Sequence, residues 1–221
     1  DALLFGFGGV AGGGAFLLGQ GKYIVDILGR FHMEDCRPMS TPMITNWKKL
    51  HASDSEFVDP TLYRQLIGSL MYLVNTRPDI CFVVNTMGQF MCEPRKVHWV
   101  AAKHILRYLQ GTVDYGLDYR QGDGVRLAGY TDSDWAGCAS DRKSTSGCCF
   151  GLGSAVVSWF SRKQQSVALS SAEAEYMAAS LASCEAIWLR KMLFGLFGQP
   201  LRPSVIYCNN QGCIKLTENP V

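Results

Sequence analysis

The chain has 221 residues, of which 48% are hydrophobic and 18% charged, and its 21 basic and 19 acidic side chains leave a formal charge of +2. That composition excludes a disordered or collagen-like chain, and the length has room for one large hydrophobic core or two small ones; the pattern along the chain favours two. So small a net charge also excludes a clamp held on nucleic acid by bulk electrostatics, so any such role rests on a local site.

Residues 1–21 form a Gly-rich segment, uncharged from Ala2 to Gly19, with glycines at 6, 8, 9, 12, 13, 14 and 19. Glycine at that density weakens a helix, no basic residue precedes the run, and about 18 apolar residues is the lower limit for a span. The segment is therefore read as flexible or joined, with no membrane role. Its glycines lack the strand–turn–helix setting of a dinucleotide loop. The nine cysteines are odd in number, scattered and without Cys-x-x-Cys spacing, and His32, His51, His98 and His104 complete no ligand set. They read as small core residues of a reducing, intracellular compartment, cytoplasmic or nuclear.

From residue 22 to 111 the pattern is helical. Tyr23, Ile24, Ile27, Leu28 and Phe31 predict a short amphipathic helix over 22–31, followed by an exposed linker through Pro38, Pro42 and the polar run 51–59. Asp59-Pro60 is a helix start, with Leu62, Leu66, Ile67, Leu70, Leu73 and Val74 on its buried face. Thr76-Arg77-Pro78-Asp79 breaks that helix, and a second apolar one runs through Ile80, Val83, Val84, Met87 and Met91. A third is expected from Glu93-Pro94 to Gly111, burying Val97, Val100, Ala101, Ile105, Tyr108 and Leu109. Lys96, Lys103 and Arg107 share its opposite stripe, which suits a solvated face better than phosphate tracking.

From 124 to 221 the period changes. Strands are predicted at 126–134, 147–153 and 155–161 as an antiparallel meander. Ser170 and Glu173 form a capping box for a long helix ending near Phe197-Gly198, and a strand at 205–208 and a helix at 212–217 follow. Asp132 and Asp134, two apart at a strand end, point to one face. Glu173 is accounted for by capping. Glu175 shares a helix face with Ala178, Ala179 and Ala182 and has no such structural use. A strand-end carboxylate, a helix carboxylate and a third at the neighbouring strand end suit hard divalent cations and phosphodiester hydrolysis; here the third position is the neutral Asn209.

Thr76-Arg77-Pro78-Asp79-Ile80, Tyr130 through Gly137, Arg142-Lys143-Ser144-Thr145-Ser146-Gly147, Ser158-Trp159 and Ser170 through Tyr176 together resemble the signatures of copia-type retrotransposon Pol polyproteins. Over residues 20–221 the chain is similar to the end of their reverse transcriptase, a mainly helical thumb or connection region, followed by their ribonuclease H domain. The resemblance implies an α/β fold with a ribonuclease H-like mixed sheet. It also implies magnesium-dependent cleavage, with manganese as a substitute, of the RNA strand of an RNA–DNA hybrid. Asp132 and Glu175 would be the metal-binding catalytic carboxylates, with Asp134 the secondary strand candidate and Asn209 standing where the family has Asp. Arg142, Lys143, Ser144, Arg162 and Lys163 would contact backbone phosphates, and Gln211 would lie near the hybrid. The resemblance further implies that the domain is incomplete at its C-terminus, leaving a sheet edge for a partner chain to cover, and that no polymerase site is present. Asn209 and that incompleteness keep open a second reading, a non-catalytic remnant that binds nucleic acid or protein.

Overall fold

A computed structural model describes residues 8–12, 14–44, 55–122, 126–198, 200 and 202–218; the polar residues 51–54 and the first seven lie outside this set. The chain forms two compact units, one up to Tyr119 and one from Arg120 onward.

The first unit begins with two short strands, β1 (Gly8–Gly12) and β2 (Ala15–Gly19), paired antiparallel from Gly8↔Gly19 to Gly12↔Ala15. This corrects the expectation of a flexible Gly-rich segment for the residues described. Gly14 turns the chain at φ 84, a conformation that costs glycine little. Four helices follow, α1 (Gly21–Arg30), α2 (Pro60–Leu73), α3 (Cys81–Gly88) and α4 (Lys96–Gln110), and β3 (Gly116–Arg120) completes the three-stranded sheet in the order β1-β2-β3. Sequence periodicity missed β3, a five-residue strand straight after a helix. Ile24, Ile27, Leu66, Leu70, Ile105 and Leu109 are among the fully buried residues that make the helical core.

Helix α2 starts as expected, the Thr61 N–H donating to Asp59 Oδ1 at 2.8 Å. Leu62 is nevertheless exposed, because the neighbouring Tyr63 takes the inner position and donates its hydroxyl to the Met87 carbonyl at 2.9 Å. Helix α4 starts at Lys96, two residues beyond the expected Pro94, where the His98 ring accepts the Arg95 N–H at 2.9 Å. His98 and Ala101 then occupy the core and Val100 is exposed. The basic stripe of α4 is held within its own unit: Arg107 donates to the Arg37 carbonyl, Lys103 lies over Trp99, and Lys96 faces Glu56.

Thr76-Arg77-Pro78-Asp79 does more than break a helix. Arg77 is 1% exposed, and its guanidinium donates to both carboxylate oxygens of Asp79 and to the carbonyl and hydroxyl of Thr112 at 2.7–3.0 Å. Burial pushes the Asp79 carboxyl up, but the Arg77 hydrogen bonds and charge, aided by the Tyr108 hydroxyl, hold it below its ordinary value.

In the second unit β4 (Leu127–Ser133), β5 (Thr145–Leu152) and β6 (Ala155–Lys163) make the expected meander; then come α5 (Ser171–Phe197), β7 (Val205–Tyr207) and α6 (Gln211–Glu218). The order β6-β5-β4-β7, with β4 antiparallel to β5 and parallel to β7, makes a mixed sheet and an α/β fold. Ala174, Ala178, Ala182 and Ala186 recur every fourth residue along the buried side of α5. Their small side chains let the helix approach β4 closely over Phe150 and Leu127. Ser170 Oγ accepts the Glu173 N–H at 3.1 Å, while Glu173 reaches back one residue further than a capping box requires, to the Leu169 N–H at 2.7 Å. Gly198 ends α5 in the left-handed conformation. Among the described residues no helix is long and apolar enough to cross a membrane.

Candidate functional site

Period-two alternation along β4 buries Leu127, Gly129 and Thr131 and leaves Tyr130 and Asp132 exposed. Glu175, on the first turns of α5, is buried and lies beside Asp132, within hydrogen-bonding reach of it and of the Ser133 N–H. Burial, with the Asp132 charge next to it, pushes the Glu175 carboxyl above its ordinary value, although the Ser133 N–H works the other way. Two carboxylates so close resist being charged together, which a cation between them would relieve. Parallel pairing of β4 with β7 sets Tyr130 opposite Tyr207, their rings stacked at 5.0 Å. β7 ends at Tyr207, and Asn209 lies in the short connection between it and α6. Gln211 is exposed at the first position of α6.

Asp134 is used otherwise. Its Oδ1 accepts the Thr145 N–H at 2.6 Å, closing the loop between β4 and β5. That carboxylate lies against the Gly137 backbone, where a Cβ would collide with Oδ2, so this tight loop requires glycine. Ser144 is fully buried, and its hydroxyl accepts the Ala136 N–H at 3.0 Å. Its side chain is thus closed off from solvent inside the loop, unlike the basic candidates beside it.

Of the four basic candidates, Arg142 is exposed at a strained φ of 56 and Lys143 is partly exposed on the same loop. Arg162 is exposed and its guanidinium covers Phe160, while Lys163 pairs with Asp141 at 3.0 Å.

Sequence reading missed Gln164. Its buried amide nitrogen lies 2.9 Å from the Ala174 carbonyl, 3.2 Å from Ser133 Oγ and 3.0 Å from Ser146 Oγ. It thereby ties the strand end bearing Asp132 to the helix turn bearing Glu175. It stands within the polar run Ser161-Arg162-Lys163-Gln164-Gln165-Ser166, which sequence pattern does not distinguish from a turn. Cys208, whose sulfur is 4.0 Å from Glu175 Oε2, was read only as the end of the strand 205–208.

Magnesium takes one or two carboxylates and keeps several waters. Asp132 and Glu175 are two adjacent carboxylates that meet this requirement. Among the described residues no group of three or more His, Cys, Asp or Glu is placed to hold a metal ion.

The chain is 43% identical over 204 residues to a retrovirus-related Pol polyprotein from transposon RE2 of Arabidopsis thaliana, covering 92% of the chain and 14% of that protein. It is 41% identical over 214 residues to a retrovirus-related Pol polyprotein from transposon TNT 1-94 of Nicotiana tabacum, covering 91% of the chain and 16% of that protein. A shorter relative, secreted RxLR effector protein 161 of Plasmopara viticola, is 50% identical over 128 residues, 58% of the chain and 90% of that protein. The chain thus spans about a seventh of the length of the Pol polyproteins it matches. No family model and no solved structure matches it.

Proposed function

The chain belongs to the retrovirus-related Pol polyproteins of copia-type transposons, and from that premise we propose that its second unit is a ribonuclease H-type domain acting on the RNA strand of an RNA–DNA hybrid. One observation carries the reading: β4 and α5 bring Asp132 and Glu175 together at the end of a mixed sheet. Magnesium, or manganese in its place, would be held by Asp132 and Glu175, and when bound would supply charge to activate water and to stabilise the leaving oxygen.

The remaining chemistry belongs to the chain's own residues. Exposed Asp132 faces the incoming phosphate, while buried Glu175, steadied by the Ser133 N–H, gives the site a fixed anionic floor. Gln164 and the Asp134-closed loop keep those two elements in register. Arg142, Lys143 and Arg162, at the same end of the sheet, are the groups available to neutralise backbone phosphates.

Asn209 favours a second reading, in which the domain retains the fold and the hybrid surface and has lost the cut. A neutral side chain at the third position weakens the hold on a second ion, and two-metal hydrolysis needs both. The test is a labelled RNA–DNA hybrid incubated with the chain and magnesium beside an Asp132→Asn variant. RNA cleavage that Asp132→Asn abolishes supports the nuclease. Tight hybrid binding with no cleavage by the folded chain selects the non-catalytic reading, and cleavage that survives Asp132→Asn refutes the site.

A further inference from the structure

The loop between β4 and β5 meets the end of β6 in a cluster that phosphodiester hydrolysis does not use. Lys163 Nζ lies 3.0 Å from Cys138 Sγ and 3.0 Å from Asp141 Oδ2, and Ser140 Oγ is 3.1 Å from the same sulfur. The backbone holds both partners in place. The Cys138 N–H donates to the Lys143 carbonyl, and its own carbonyl accepts from Arg142. Lys163 is paired with Thr145 in the sheet, and the next residue, Gln164, donates its N–H to the Ser144 carbonyl. Cys138 is 6% exposed and the Lys163 side chain 27%, so the sulfur is shielded from bulky reagents while the amine opens the cluster to water.

We propose that Cys138 and Lys163 form an oxidation-driven covalent latch, in which a peroxide converts the thiol to a sulfenic acid and the lysine amine then closes a sulfur–nitrogen bond. In the first step the Cys138 sulfur takes one oxygen from hydrogen peroxide. The O–O bond breaks, two electrons pass from sulfur to the peroxide, and water leaves. In the second the neutral Lys163 amine attacks that sulfur, the S–O bond breaks, and the hydroxyl departs as water with a proton from the amine.

The surroundings favour the first step directly and the second once the thiolate charge is gone. Burial pushes the Cys148 and Cys149 thiols up. At Cys138 burial acts in the same direction, but hydrogen bonds from Lys163 and Ser140 outweigh it and lower the thiol, which enriches the oxidisable thiolate. At Lys163 burial favours the neutral amine, but hydrogen bonds and charge from Cys138 and Asp141 outweigh it and raise the amine above its ordinary value. Converting the thiolate to an uncharged sulfenic acid removes one of those opponents. Once closed, the latch fixes the loop that carries Arg142 and Lys143 to the end of β6.

The test treats the full chain with hydrogen peroxide, digests it at acidic residues and weighs the peptides. The expected product is the Cys138 peptide joined to the Lys163 peptide, two hydrogens lighter than their sum and separated again by dithiothreitol. Lys163→Arg keeps a positive charge beside the sulfur, so Cys138 should still form a sulfenic acid, trapped by dimedone when the oxidised chain is unfolded in its presence, while the joined pair is lost. The proposal is overturned if Cys138 oxidises with Lys163 left unmodified, or if Cys138 stays reduced while the exposed Cys92 and Cys184 oxidise. Because the readout is peptide mass, its failure would leave the nuclease reading untouched.

Discussion

Replacing Arg77 with methionine tests whether the first unit is built around its buried ion pair. The substitution keeps much of the side-chain volume but removes donors to both Asp79 oxygens and to the carbonyl and hydroxyl of Thr112. Breaking a buried pair from one side costs about 3–5 kcal/mol, because the remaining charge is left uncompensated. The Asp79 side chain is 33% exposed and keeps the Tyr108 hydroxyl at 2.8 Å, which places the expected loss near the lower end, at about 3 kcal/mol. Hydrogen exchange followed by peptide mass separates the two units, so protection should fall in α2, α3 and α4 and not in β4, β5 and α5. Adding Asp79→Asn to Arg77→Met should recover roughly 1–2 kcal/mol by removing the orphaned charge. A loss under about 1 kcal/mol, or no coupling between the two positions, would refute the reasoning.

Three further outcomes follow from the second unit. Because the folded state raises the Glu175 carboxyl, it keeps that proton longer than the unfolded chain does, and stability declines as pH rises through the window above the ordinary carboxylate value. Glu175→Gln should therefore raise the melting temperature at pH 8 in metal-free buffer, with the gain fading towards pH 4; a gain independent of pH would contradict this. Gly137→Ala drives a methyl into the Asp134 carboxylate and should cost about 1–3 kcal/mol, with faster exchange of the Thr145 amide as its local mark. Gln164→Leu strips partners from the buried Ala174 carbonyl and Ser146 hydroxyl and should cost roughly 1–3 kcal/mol in urea unfolding, whereas an unchanged midpoint would mean that β6 does not position the site.

Features set by close neighbours along the chain are legible in the sequence itself. Ser170 and Gly198 bound α5 because capping acts over a single turn, and Asp59-Pro60 opens α2 for the same reason. Glu175 can be singled out because helix position separates it from the capping Glu173, whereas Asp132 stands apart from Asp134 only through the family resemblance. What escapes such a reading depends on distant partners. Asp134 resembles Asp132 in sequence, and only the Thr145 amide, eleven positions away, gives it a loop-closing role. Arg77 reads as part of a helix break until Thr112, thirty-five positions on, makes it the centre of a buried network. Gln164 is one member of a polar run until β4, β5 and α5 converge on it. The strands β1 and β2 are hidden by their glycines, which weaken every local preference, so that pairing alone specifies them.

The most direct measurement is the rate of RNA cleavage in a labelled RNA–DNA hybrid with magnesium, comparing the chain with its Asn209→Asp variant. If Asp132, Glu175 and position 209 form one site, restoring the third carboxylate should raise the rate at least roughly tenfold, and Asp132→Asn should abolish the gain. Equal rates for the chain and its Asn209→Asp variant, both folded, would contradict the assignment of Asn209 to that site.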